Sequence, residues 1–260
     1  MLKIYRVSKG AASPHPLAVA DVAWQLRAGA LALLPTETVY GIGVAVGAYA
    51  DAVAGDAVPR PPARNDSGCP APAALAEGSR PGPAPGTGYA RIFTLKHREP
   101  TQTVPWLVEG PRALDVYGVD VDPRIRALAE RFWPGALTLI VKAAPGVPGF
   151  LQAADGTVAL RASASPVIQA LVRACGSPLA VTSANTHGAP APASFDEVER
   201  RILQGVDVAV DAGATPCRDA STIVSCQGGG PRILRQGALS RGDILSALGA
   251  RPEAGPLSGR

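Results

Sequence analysis

The sequence predicts an α/β fold with a largely parallel sheet flanked by helices. Three observations lead there. Helix-like and strand-like segments alternate along the 260 residues, as they do in chains built from βαβ units. The strand candidates are short and almost wholly apolar, the pattern of strands covered on both faces. Apolar residues make up 47% of the chain while aromatics make up only 5%, so the core is sizeable but built from small side chains.

The elements follow in order. SPHPLAVADVAWQLRAG reads as a helix: Ser13 or the nearby prolines open it, Leu17, Val22 and Leu26 help form its apolar face, and Gly29 closes it. ALALLP is a short buried strand. It runs straight into Thr36, Glu37 and Thr38, placing two hydroxyls and a carboxylate at a carboxyl strand end, where ligands gather in open α/β sheets. From about 47 to 87 the chain is rich in Pro, Gly, Ala and Ser without any period. That composition reads as a disordered or poorly ordered insertion within a single domain spanning 1–248.

In LKHREP, Lys96 and Arg98 stand at i and i+2, on one side of an extended chain. The spacing suits a phosphate clamp and equally a solvated basic turn. DPRIRALAERF is a helix with Asp122 as N-cap and Pro123 at its first position. GALTLIVK and TVALRA are strands, and SPVIQALVRACG is a helix with a Ser-Pro start and a Gly stop. PLAVTSAN is a strand with a polar end at Thr182, Ser183 and Asn185, groups suited to phosphate oxygens or to an ordinary turn. SFDEVERRILQG is read as a capped helix, Ser194 and Glu197 forming a capping box. VDVAVDAG, STIVSC and RILRQG are strand-like, SRGDILSALG is a last helix, and 249–260 is a loose tail. Arg161 follows the apolar run TVAL, Ser221 opens a strand and Arg235 closes one. An arginine in such a place needs a cleft to face or an acid to pair with.

Composition narrows the function classes. The formal charge of +4 and pI near 9.0 are compatible with phosphate or nucleic-acid binding without establishing either. Four scattered cysteines and three distant histidines argue against a protein-built metal cage and against a disulfide scaffold. They suit a reducing cytosol. The start MLKIYRVSKG has no apolar signal region, and no apolar run is long enough to span a membrane. Neither a P-loop, a G-x-G-x-x-G fingerprint nor a G-x-S-x-G elbow is present.

Taken together and in order, PTETVYGIG, the K-x-R of KHR, FWPGALTLIV, VALR, the SAN of TSANTHG, STIV and ILRQGAL resemble the YrdC-like family, the threonylcarbamoyl-adenylate synthases. The resemblance runs from about Ala18 to Leu248, the insertion excepted. It implies a twisted, mixed α/β sheet with flanking helices and a large, positively lined concave pocket. It also implies a reaction: ATP, L-threonine or a similar amine, and bicarbonate give an adenylate and pyrophosphate, with Mg²⁺ held mainly by the nucleotide. A downstream cytoplasmic transferase then passes the threonylcarbamoyl group to tRNA. Carried over by position, Thr36, Arg161 and Ser221 hold the amino acid. Lys96, Arg98, Thr157, Ser183, Asn185 and Arg235 surround the ATP, with Lys96 and Arg98 the catalytic cations and no protein metal site.

The sequence departs from the family pattern at several positions. Glu109 stands where a histidine is expected, Ala220 precedes STIV, Gln236 follows ILR, Thr182 precedes SAN, and the insertion displaces the segment before the K-x-R. Glu109 would repel a substrate carboxylate or recruit its ammonium. The departures leave two alternatives open: a carbamoyl-adenylate-forming enzyme with another amine or carbamoyl substrate, and a non-catalytic paralogue whose basic concavity holds double-stranded RNA.

Overall fold

The computed structural model describes residues 2–7, 14–49, 86–98 and 104–249. Most of the expected insertion (50–85) and all but the first residue of the expected tail lie outside the described residues.

The described residues form ten strands: β1 (Lys3–Arg6), β2 (Ala32–Pro35), β3 (Tyr40–Ala45), β4 (Trp106–Leu107), β5 (Leu137–Lys142), β6 (Thr157–Arg161), β7 (Leu179–Ser183), β8 (Val208–Asp211), β9 (Thr222–Ser225) and β10 (Arg232–Arg235). They make one sheet in the order β1-β8-β2-β3-β7-β4-β6-β5-β9-β10. Among the described residues seven α-helices accompany it: α1 (Pro16–Arg27), α2 (Gly88–Lys96), α3 (Ala113–Tyr117), α4 (Pro123–Phe132), α5 (Pro166–Cys175), α6 (Arg200–Gln204) and α7 (Arg241–Ala247). Among the described residues no helix is long and apolar enough to cross a membrane.

The sheet is mixed: four strand pairings are parallel and five are antiparallel. The expectation of a largely parallel sheet is corrected, and the cause is local. After β2 the chain does not cross over through a helix. It turns within 36–39 and runs straight back as β3, with Leu34 opposite Gly41 and Pro35 opposite Tyr40. The sequence reading also leaves β1, β3, β4, α2 and α3 unassigned; the segment just before the K-x-R, read as displaced by the insertion, is the helix α2. In β3 the two glycines lower strand propensity, yet they are what lets β7 close on it. A Cβ on Gly41 would sit 2.5 Å from Val181 Cγ1, and one on Gly43 would sit 2.5 Å from Ala180 O.

Three further expectations change. Leu17 is 74% exposed, because it lies roughly 140° around α1 from Val22, while Val22, Ala23 and Leu26 form the buried face. Lys96 and Arg98 are not on an extended chain: Lys96 ends α2, and His97 turns the chain in the left-handed region at φ 51°. Tyr89, Ile92 and Phe93 bury that helix, and Thr87 caps it by accepting from Ala90 N–H at 3.3 Å. Ser194 makes no side-chain cap; a single 3₁₀ turn follows it, and the next helix starts only at Arg200. Glu197 instead accepts from Ala193 N–H at 2.7 Å.

Burial shows where the sheet is open. Around β2, β3 and β7 both faces are covered: Leu33, Ile42 and Val44 enter one apolar cluster, while Leu34, Leu179 and Val181 enter another with α1 and α5. Around β5, β6 and β9 only one face is packed by an apolar cluster of the described residues. Leu137, Leu139, Val141, Val158, Leu160 and Val224 enter the first cluster with α4. The alternate residues Ile140, Ala159 and Ile223 are only half-buried. Side-chain alternation places Thr138, Thr157 and Arg161 on that same open face.

Candidate active site

The turn after β2 is closed by its own hydroxyls. Thr36 Oγ1 accepts from the N–H groups of Thr38 and Val39, both at 3.1 Å, and donates to Val39 O at 2.6 Å. Thr38 Oγ1 lies 2.8 Å from Thr36 Oγ1 and receives Arg161 Nη2 at 2.9 Å. A guanidinium only donates, so protons run from Arg161 to Thr38, to Thr36, to the Val39 carbonyl. Thr36 is therefore tied into the turn, and Thr38 is the hydroxyl that meets Arg161.

Arg161 is fixed from three sides. Besides Thr38, its Nε donates to Gly135 O at 3.1 Å and its Nη2 pairs with Glu37 Oε1 at 2.7 Å. The Arg161 and Glu37 side chains are only 7% and 10% exposed. Ser163 Oγ donates to the other Glu37 oxygen. Burial pushes the Glu37 carboxyl up, but the Arg161 charge, and with it the hydrogen bond from Ser163, outweighs burial and holds the group below its ordinary range. Loop 212–217 backs the turn: Thr215 Oγ1 donates to Thr38 O at 2.7 Å, and Cys217 N–H donates to Glu37 O at 2.9 Å. Arg161 Nη1 has no partner among the described residues.

Ser221 and Arg235 meet directly. Arg235 donates to Ser221 O from Nε at 3.1 Å and from Nη2 at 2.8 Å, and Nη2 also reaches Ser221 Oγ at 3.0 Å. Gly237 makes the approach possible: a Cβ there would lie 2.2 Å from Ala220 O and 2.8 Å from Ser221 O. Ser221 Oγ also contacts Thr138 Oγ1 at 2.8 Å. Burial lowers the pKa of Arg235, and the Arg161 charge lowers it further.

A second group forms where α2 ends against the end of β7. The buried Lys96 ammonium donates to Ser183 O, to Asn185 O at 2.8 Å and to Asn185 Oδ1 at 3.0 Å, with Ser183 Oγ at 3.5 Å. Arg98 Nη1 lies 3.5 Å from Thr182 Oγ1. Burial, then the Arg98 charge, lowers the Lys96 pKa to about 8 against the opposing pull of Glu199. Glu199 holds the next residue, accepting from Thr186 N–H at 2.9 Å and from its hydroxyl. This group adjoins the first through the sheet, because Ser183 pairs with Gly41 at the start of β3. Thr157 opens β6, four residues before Arg161 on the same strand; it is buried, and its hydroxyl donates to Asp155 Oδ1 at 2.7 Å. Glu109 is exposed in the turn after β4, one residue beyond the Val108 N–H that donates to Arg161 O at 2.8 Å.

The sequence reading marked Glu37 and Thr38 as a polar strand end without giving either a role, and it missed Ser163 and Thr138 as members of this cluster. For Thr138 a signal existed, a lone hydroxyl inside the apolar run GALTLIVK. A cavity of about 640 Å³ also lies behind the 36–38 turn, against Arg6, Glu37, Ser165, Asp196, Asp211 and Thr215. Arg161, Ser221, Arg235 and Lys96 do not line it.

Comparison with known proteins gives a consistent picture. The Sua5/YciO/YrdC family profile, described as "Telomere recombination", matches residues 86–237. A Mycobacterium tuberculosis protein provisionally named a threonylcarbamoyl-AMP synthase is 35% identical over 224 residues, covering 86% of this chain and 86% of that one. The threonylcarbamoyl-AMP synthase of Bacillus subtilis is 30% identical over 232 residues, 89% of this chain and 56% of that one. The chain thus spans about half the length of the Bacillus relative. Among solved structures, Pyrococcus abyssi Sua5 complexed with L-threonine superposes with a TM-score of 0.74 at 24% identity, over 96% of this chain and 62% of that one. Escherichia coli YciO superposes at 0.71 and 18% identity, over 94% and 100%.

Proposed function

The chain belongs to the Sua5/YciO/YrdC family, and from that premise we propose that it makes L-threonylcarbamoyl-adenylate from ATP, threonine and bicarbonate. The observation that carries the reading is the pair of anchored arginines: Arg161 is held at the 36–38 turn with Nη1 unpartnered among the described residues, and Arg235 is seated on Ser221. A buried guanidinium with one unpartnered nitrogen next to a hydroxyl is a receptor for a carboxylate. A second guanidinium beside it can take phosphate oxygens.

The chemistry needs no protein nucleophile. The threonine amine attacks bicarbonate carbon and water leaves, giving a carbamate. A carbamate oxygen then attacks the ATP α-phosphorus and pyrophosphate departs. In this reading Arg161 Nη1 and the Ser221 hydroxyl bind the amino-acid carboxylate beside Thr36. Arg98 and Arg235 neutralise charge on the triphosphate, and Ser183 and Thr157 line its path. Catalysis comes from positioning two substrates and stabilising phosphate charge.

Among the described residues no three His, Cys, Asp or Glu side chains form a group that could hold a metal. Any Mg²⁺ would arrive on the triphosphate oxygens, and the steps assigned to the protein do not run through it. The adenylate would then serve a transferase acting on tRNA in the cytoplasm. Glu109 is exposed beside the strand end that carries Arg161, and in this reading its charge would favour the ammonium side of a zwitterionic substrate.

A pyrophosphate-release assay with ATP and bicarbonate, run across the common amino acids and ammonia, tests the reading. Release that requires threonine, with a product of threonylcarbamoyl-adenylate mass, supports it. Release with another amine reassigns the substrate, and salt-sensitive RNA binding without release rejects the enzyme.

A further inference from the structure

Thr138 is the hydroxyl residue within the apolar strand β5, and it is 1% exposed. It sits opposite Ile223, on the open face, while its neighbours Leu137 and Leu139 enter the core. Among the described residues its Oγ1 has one hydrogen-bond partner, Ser221 Oγ at 2.8 Å.

Counting protons gives that contact a direction. A hydroxyl has one proton and two lone pairs. Ser221 Oγ already accepts from Arg235 Nη2, since a guanidinium cannot accept. If Ser221 donated to Thr138, the buried Thr138 proton would have no acceptor, which costs the desolvation of a donor. If Thr138 donates, its proton is satisfied. Ser221 then accepts twice, and its own proton remains available to a ligand.

We infer that Thr138 is a positioning residue: it donates to Ser221 Oγ and so aims the Ser221 proton at the carboxylate of the amino-acid substrate. The inference rests on the reading of Arg161 and Ser221 as the amino-acid site. Thr138 itself touches no substrate and acts through Ser221. Because Arg235 grips the Ser221 carbonyl and hydroxyl together, the same hydroxyl joins the amino-acid side of the hollow to its phosphate side.

Calorimetric titration of L-threonine and of L-threoninamide, which lacks the carboxylate, tests this on the full chain. Thr138→Val should weaken threonine binding roughly tenfold or more, the scale of a hydrogen bond to a charged group. It should leave threoninamide binding unmoved. Thr138→Ser should restore threonine binding, and Thr138→Val added to Ser221→Ala should cause no further loss. Should Thr138→Val not fold, Thr138→Ala carries the same comparison. Wild-type affinity in the Val or Ala variant overturns the inference, and so does an equal loss for both ligands, which would mark a packing role. If the wild-type chain binds no threonine and releases no pyrophosphate with it, the amino-acid reading fails first and takes the inference with it.

Discussion

Replacing Glu37 with alanine should destabilise the protein far more than an ordinary surface change. The carboxylate pairs with Arg161 at 2.7 Å, with both side chains nearly excluded from water, and it accepts the Ser163 hydroxyl. Its removal leaves a buried guanidinium with only Gly135 O and Thr38 Oγ1 as acceptors. Breaking a buried ion pair from one side costs about 3–5 kcal/mol, a large share of the roughly 5–15 kcal/mol that holds a domain folded. Urea denaturation near neutral pH measures this directly. The double variant Glu37→Ala, Arg161→Met should recover part of the loss, since neither charge is then stranded. Acid adds a second reading. The folded carboxyl titrates below its ordinary 4.5, so below that pH the unfolded chain takes up the proton first. The Glu37 contribution is complete above pH 4.5 and lost as pH falls through the lowered native value. Glu37→Gln should therefore show a flatter acid limb than wild type. A loss under about 1 kcal/mol for Glu37→Ala, within the range of ordinary substitutions, or strict additivity in the double variant, would refute the reasoning.

Other outcomes follow from the same geometry. Lys96→Met should lower kcat/KM for ATP roughly tenfold or more, from lost charge-assisted hydrogen bonds, while threonine binding measured by calorimetry stays near wild type. The alkaline limb of wild-type kcat/KM for ATP should fall near pH 8, the lowered Lys96 value, because a neutral amine has two donors for three acceptors; a flat profile through that range would contradict it. Arg235→Ala should cut turnover by roughly 10²-fold or more, as loss of a charge-stabilising donor does, and pyrophosphate release checks it. Gly237→Ala, whose Cβ would meet Ala220 O at 2.2 Å, should lower both thermal stability and threonine affinity, read by melting curves and titration.

The parts of the fold legible in the sequence were those with local causes. Asp122 caps α4 through its contact with Arg124 N–H at 2.8 Å, and the strands β5 to β9 lie where their apolar runs stand. The hairpin of β2 and β3 was hidden because its turn is held by threonine hydroxyls rather than by a glycine-led turn pair, and because the glycines of β3 answer to β7, about 140 residues away in the chain. The site was legible as polar endings on apolar strands. Its internal wiring was not, since Lys96 meets Asn185 across 89 residues and Arg161 meets Thr38 across 123. Motif position locates a cation without saying whether its donors face a ligand or the protein.

That distinction separates the site's ammonium from its guanidiniums. Lys96 has three protons, and the Ser183 and Asn185 carbonyls and the Asn185 amide oxygen occupy all three. It can fix the 183–186 turn, but to grip a phosphate it would first have to release part of that turn. Arg161 and Arg235 each carry five donors in a rigid plane. Nε and Nη2 hold Arg161 to Gly135, Thr38 and Glu37, and the same two nitrogens hold Arg235 to Ser221. In both, Nη1 is left without a partner among the described residues. A guanidinium can therefore be anchored by one edge and present the other to a ligand without reorganising, which is the condition for electrostatic stabilisation to favour a transition state. The two arginines would meet substrate, and the lysine would hold the 183–186 turn.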